Sequence, residues 1–122
     1  MKTLLIVDDD AALRDVMRKV LEKAGYSVLT AANGTEGLDL LRSTQVAAVI
    51  TDIIMPEMEG LETIRTMRVS WPNLPIVAIS GGGRPNRADF LRAAQAFGAK
   101  RTLHKPFRND ELLEAVRFAI GD

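Results

Sequence analysis

Three consecutive carboxylates, Asp8, Asp9 and Asp10, close the apolar run of LLIVDDD near the start of the chain. Like charges ~4 Å apart repel by about 1 kcal/mol in water and about 4 kcal/mol at an effective dielectric near 20. Packed against a core they raise one another's pKa unless something positive sits between them. Three further apolar runs end in groups that could supply or use such a charge. AAVI is followed by Thr51-Asp52, PIVAI by Ser80 and three glycines, and RTL by His104-Lys105-Pro106. Carboxylates without cysteine suit a hard cation such as magnesium, which keeps waters and shares its shell with phosphate oxygens. Lys105 then serves as a point charge for an anion, Ser80 as a hydrogen-bond donor to it, and Gly81 lets the anion approach the backbone. A carboxylate beside a metal and a lysine can act as a nucleophile toward a phosphoryl group. Asp52, alone at the end of a central strand, is the best candidate for the resulting aspartyl phosphate. Such a transfer works by positioning and charge neutralisation.

For these groups to meet, the chain must bring four strand ends to one edge. The hydrophobic pattern supports this. Apolar runs at 4–7, 27–31, 47–51, 75–80 and 101–104 read as strands, and segments with three- and four-residue spacing follow each one. Leu13, Val16, Met17, Val20, Leu21 and Ala24 form one helical stripe, stopped by Gly25. Asn33-Gly34 precedes a short helix with Leu38 and Leu41. Leu61, Ile64 and Met67 mark another, Phe90, Ala94 and Phe97 a further one ended by Gly98. Asn109 is expected to cap a last helix with Leu112, Leu113, Val116 and Ile120 inward. Strict alternation of strand and helix predicts an α/β fold, a mostly parallel sheet with helices on both faces. Continuous apolar runs suit central strands covered on both sides, and in open parallel sheets ligands bind at the strands' carboxyl ends.

The composition sets the outer bounds. The 122 residues are 47% hydrophobic and 26% charged, enough for one compact domain over 1–122 with no internal linker. Sixteen basic residues balance sixteen acidic ones, so no general attraction to nucleic acid or to a membrane surface is expected. The absence of cysteine excludes disulfides, thiolate nucleophiles and Cys-ligated zinc. The N-terminus has no apolar segment long enough for a signal peptide, which makes the cytoplasm the expected location.

Together these residues resemble a response regulator receiver domain, chemotaxis-regulator-like, over essentially the whole chain. LLIVDDD resembles the family's acidic pair, VITDIIMPEMEG its phosphoacceptor segment, PIVAIS its hydroxyl strand and HKPF its lysine–proline. The resemblance implies a flavodoxin-like sheet in the order 2-1-3-4-5. It implies Asp8 and Asp9 as the acidic pair, Asp52 as the phosphorylation site, Ser80 as the hydroxyl and Lys105 as the phosphate-binding lysine. It also implies the Ile54 main-chain carbonyl as a third protein ligand to Mg2+ (Mn2+ able to substitute), and a cis peptide before Pro106. The implied partners are a histidine kinase or histidine phosphotransfer protein in a two-component phosphorelay, with an output partner the sequence does not identify. The implied role is a conformational switch rather than an enzyme, self-phosphorylation from small donors notwithstanding. Two positions depart from the family. Thr102 stands where an aromatic is usual, and SGGGR is richer in glycine than the usual loop. Ile54 and Gly82, flanking the line of water attack, cannot orient water, so a long-lived phosphorylated state is expected.

Rival readings exist for several of these residues. D-x-D after a first strand also occurs in haloacid-dehalogenase-type phosphatases, with Asp8 as nucleophile and Asp10 as acid/base, but no cap-sized insertion is present. A phosphorylation-independent module of the same fold would normally lack one of the site residues. A flavin module would need an aromatic sandwich for the isoalloxazine, and this sequence shows none evident. Asp10 is expected to cap the first helix, His104 to be structural, Trp71 to pack a loop, Met55, Met58 and Met67 to fill gaps, and Arg84, Arg87 and Arg92 to face solvent.

Overall fold

A computed structural model describes residues 1–53, 60–80 and 98–121, together with Arg92 and Gln95. In chain order the elements are β1 (Thr3–Val7), α1 (Ala11–Lys23), β2 (Ser27–Ala31), α2 (Gly34–Ser43), β3 (Ala48–Asp52), α3 (Gly60–Ser70), β4 (Ile76–Ser80), β5 (Arg101–His104) and α4 (Asn109–Ile120). Arg92 and Gln95 are helical as well, on the segment where Phe90, Ala94 and Phe97 predict a helix. Those three residues lie outside the described ones.

All five strands are parallel, in the order β2-β1-β3-β4-β5. The register sets Val7 beside Thr51, Asp52 beside Ile79 and Ser80 beside His104. Side chains alternate across a strand, and here each side meets a helical layer. Leu5, Val7, Val49, Ile76 and Ala78 pack with Leu38, Leu41, Ile64 and Met67 of α2 and α3. Leu4, Ile6, Ile50, Val77 and Ile79 pack with Met17, Leu21, Leu112 and Val116 of α1 and α4. Burial of each such side chain contributes about 1.5–3 kcal/mol, so the three central strands are firmly seated. Trp71, just beyond α3, packs against the first cluster, and Met67 is fully buried in it.

Several details differ from the sequence expectations. β3 runs one residue later, so Asp52 is itself the last strand residue. β4 begins at Ile76 because Pro75 has no N–H to give the ladder; its carbonyl accepts from Val49 N at 3.0 Å. Val16 is 50% exposed: it sits about 100° around the helix from its buried neighbour Met17, outside the stripe. Asn109 is not the cap of the last helix. Arg108, with extended backbone, holds that place, and its N–H donates to the Glu111 carboxylate at 2.9 Å. The capping acceptor therefore reaches back from three residues ahead, the half of a capping box that Glu supplies.

Two glycines have a physical reason. Gly25, at φ +102°, turns the chain out of α1 in a conformation L side chains rarely adopt. Gly37, inside α2, lets the helix lie directly on β1, where an added Cβ would fall 2.8 Å from Val7 Cγ2. Val7 is completely buried and cannot swing aside. Alanine improves helix propensity by about 1 kcal/mol, but the clash costs about 1–3 kcal/mol. Gly37→Ala should therefore lower the stability measured by urea denaturation by up to about 2 kcal/mol. A stabilised variant would show that α2 can lift off the sheet at little cost.

Candidate functional site

The carboxyl ends of β1, β3, β4 and β5 meet at one edge of the sheet. Asp8 follows β1 directly and is fully buried, its N–H donating to Ala31 O at 3.1 Å. Asp52 ends β3 and is 3% exposed. The next residue's N–H donates to Ile79 O at 2.9 Å, so the pairing with β4 continues past Asp52 and fixes its position. Ser80, also fully buried, accepts through its carbonyl the N–H of Lys105 at 2.9 Å. That bond, together with the pairing of Ser80 with His104, brings the β5 terminus beside β4. The Lys105–Pro106 peptide is cis.

Lys105 Nζ lies 2.8 Å from Asp52 Oδ2 and 3.1 Å from Asp8 Oδ2. The first contact is a hydrogen bond. The second is an ion contact without hydrogen-bond geometry, and Asp8 Oδ2 is left as a buried oxygen with no hydrogen-bond partner. Asp9, exposed at the rim, completes a group in which one oxygen each from Asp8, Asp9 and Asp52 lies within 4.8 Å of the others. Three carboxylates facing one ammonium leave net negative charge. An orphaned, desolvated oxygen amid hard donors fits an oxygen-ligated divalent cation.

Protonation follows the same geometry. Burial pushes the Asp8 carboxyl above its ordinary 3.8, and the nearby Asp52 charge adds to this. The Asp10 amide and the Lys105 ammonium oppose it without cancelling it. For Lys105, burial pulls the pKa down, but the hydrogen bond and charge of Asp52, with the nearby charge of Asp8, outweigh that and hold it above the ordinary 10.5. It remains an ammonium at neutral pH.

Asp10 takes the capping role expected of it, its carboxylate accepting from Leu13 N at 3.1 Å and its own N–H donating to Asp8 Oδ1 at 2.9 Å. It is thus engaged with α1 rather than poised as an acid/base. Thr102 is half-buried in β5 beside Ala78, and His104 is exposed, as is Arg92. Ile54, Met55, Met58, Gly81, Gly82, the rest of GGGRPN and Arg87 lie outside the described residues. One contact has no counterpart in the sequence reading: Arg14 Nη1 donates to the Asp8 carbonyl at 2.7 Å. The only trace of it in the sequence is a basic residue one helical turn beyond the capping Asp10. A groove of about 610 Å3 lies elsewhere, between the α2–β3 and α3–β4 connections near Leu41, Val46, Trp71 and Pro72. It has no carboxylate in its lining. Among the described residues, no helix is long and apolar enough to cross a membrane.

Known proteins resemble this chain in sequence and fold. A family model described as response regulator receiver domain matches residues 4–117. Response regulator MprA of Mycolicibacterium vanbaalenii is 40% identical over 114 residues, 93% of this chain and 48% of that protein. The chain thus spans about half the length of the curated relatives it matches. A CheY-like receiver domain protein from Methanospirillum hungatei superposes with a TM-score of 0.89 at 30% identity, covering 99% of this chain and 94% of the other. Chemotaxis protein CheY4 of Vibrio cholerae gives 0.88 at 30% identity over 98% of each chain.

The raised Asp8 pKa has a testable consequence for stability. A group whose folded pKa exceeds its unfolded value stabilises the fold fully below the unfolded value, here about 3.8, and this contribution is lost as pH rises through the folded value. Asp8→Ala removes the buried charge, and Asp10, whose N–H it frees, is an exposed residue. In EDTA at pH 7.5 the variant should melt above wild type, with the gap narrowing as the pH falls toward the ordinary carboxylate value of 3.8. A lower melting temperature across that range would mean that the Asp8–Lys105 attraction outweighs the burial cost.

Proposed function

The chain belongs to the response regulator receiver domain family, and on that premise we propose that Asp52 accepts a phosphoryl group from a phosphohistidine. The donor is a histidine kinase or a histidine phosphotransfer protein. The observation that carries this reading is the Lys105 ammonium set 2.8 Å from Asp52 and 3.1 Å from Asp8, with Asp9 alongside. A lone buried ion pair needs only one carboxylate. This arrangement collects three and still leaves one buried oxygen without a hydrogen bond.

Asp8, Asp9 and Asp52 would hold Mg2+, with the Ile54 carbonyl as a further ligand. When bound, the ion offsets the negative charge that carboxylates and phosphoryl oxygens bring together. Asp52 supplies the nucleophilic oxygen. The O–P bond to Asp52 forms as the P–N bond of phosphohistidine breaks, and the electron pair leaves with the imidazole nitrogen. Lys105, already an ammonium, moves its charge from the Asp52 carboxylate toward a phosphoryl oxygen. Ser80, at the end of β4, donates its hydroxyl to another, and the backbone N–H of Gly81 joins it. The phosphoryl group can bias the conformation only through contacts that differ between the two states, and Lys105 and Ser80 are the side chains we assign to those contacts. The domain is a signalling switch, and the shape change is its product. Asp10's engagement in the α1 cap weighs against the haloacid-dehalogenase reading.

Acetyl phosphate with Mg2+ should add a single phosphoryl group, mapped by mass spectrometry to Asp52, and EDTA should abolish it. Asp52→Asn should lose the label. Stoichiometric labelling of that variant at the wild-type rate would sink the assignment. Ser80→Ala and Lys105→Ala should still bind Mg2+, yet lose most of the amide-exchange response that beryllofluoride produces over residues 81–87 in wild type. An undiminished response in both would leave the switch without its proposed carriers.

A further inference from the structure

Arg14 stands near the acids without contributing to them directly. Its main-chain N–H donates to Asp10 O at 2.9 Å, and its guanidinium reaches back to the Asp8 carbonyl at 2.7 Å. One residue therefore clasps the 8–10 turn at both ends. Asp8 is held at every other polar point as well, through its N–H to Ala31 and through Oδ1 to Asp10 N. Only Oδ2, facing Lys105, is left without a hydrogen bond. Asp9 is different. Its side chain is exposed, so its direction is inherited from the backbone that carries it.

We infer that Arg14 is a positioning residue for the metal-binding acids: its guanidinium fixes the Asp8–Asp9 peptide and so aims the Asp9 carboxylate. The peptide unit is planar. Fixing the Asp8 carbonyl oxygen therefore fixes the Asp9 N–H and Cα in the same plane. A charged donor makes the stronger kind of hydrogen bond, and a guanidinium on a helix is a stiffer anchor than water would be. Partners one step behind a ligand govern how well a metal site is formed. The inference rests on the magnesium reading above and adds a residue to it.

The test is Mg2+ titration by calorimetry, without any phosphodonor, of wild type, Asp9→Ala, Arg14→Met and Arg14→Lys, with melting temperatures in EDTA measured alongside. Arg14→Met should bind Mg2+ about tenfold more weakly, the low end of what losing such a partner costs, and Arg14→Lys should recover most of that loss. A role confined to stability would lower the EDTA melting temperature and leave the dissociation constant of the folded protein unchanged, which would overturn the inference. Arg14→Gln, with one neutral donor, serves the same comparison if Arg14→Met does not fold, and an unchanged constant there is equally fatal. If wild type takes up no Mg2+, or Asp9→Ala takes it up as tightly as wild type, the metal-site reading itself falls and the inference with it. If those two behave as proposed while Arg14→Met matches wild type, only the role of Arg14 is lost.

Discussion

Two carboxylates stripped of their water share a single ammonium, and much of the rest of the molecule is arranged around holding them there. Removing an ion from water costs several kcal/mol even after the surroundings relax. Asp8 and Asp52 are almost wholly buried, Lys105 touches both, and one positive charge cannot balance two negatives. The upward displacement of the Asp8 pKa, led by burial and reinforced by Asp52, records the imbalance. Such a site does not arise from local preference. It has to be imposed by surroundings that gain more from folding than the site loses.

The sheet supplies that surplus. Leu4 to Val7, Ala48 to Ile50 and Ile76 to Ile79 are fully buried, with α1 and α4 on one side and α2 and α3 on the other. Parallel pairing brings the polar ends of these strands to one edge. β1 lies between β2 and β3, so connections leave its neighbourhood toward opposite faces and a crevice opens at its end. Rigid strands set Asp52 and Ser80, and a turn tied down by Asp10 and Arg14 sets Asp8 and Asp9. The reactive groups sit on the stiffest elements, and the exposed rim is left to Asp9.

Most of this was legible in the order of residues, because its causes are local. Apolar runs of four or five residues separated by helical spacing could hardly form anything but alternating strands and helices. Acids, hydroxyl and lysine each stood at the end of a run. What escaped was set by contacts between distant parts of the chain or by fine angular placement. The double reach of Lys105 joins residues 53 positions apart, and nothing near Lys105 announces it. The Arg14 contact depends on where α1 lies over the end of β1. Val16 satisfied the helical spacing but fell outside the arc that the sheet covers. Asn109 had the chemistry of a cap, yet Glu111 reaching back to Arg108 let the helix start at Asn109 itself. The identity of any partner has no local cause in this chain at all.

The burial of β1 on both faces has a consequence for strand alignment. In a sheet with one wet face, slipping a strand by one residue exposes its apolar set, so the slip is strongly opposed. Leu4, Leu5, Ile6 and Val7 are all at 0% exposure, and exchanging odd for even positions among them replaces one aliphatic side chain by another. The aliphatic pattern alone is therefore a weak ruler for β1. The aspartates provide the mark. A shift one way would drag the Asp9 charge into the dry end of the strand, and a shift the other way would pull Asp8 away from Lys105 and put Val7 in its place. The acids assigned above to the proposed chemistry thus also act as an end-stop that tells the central strand where to halt.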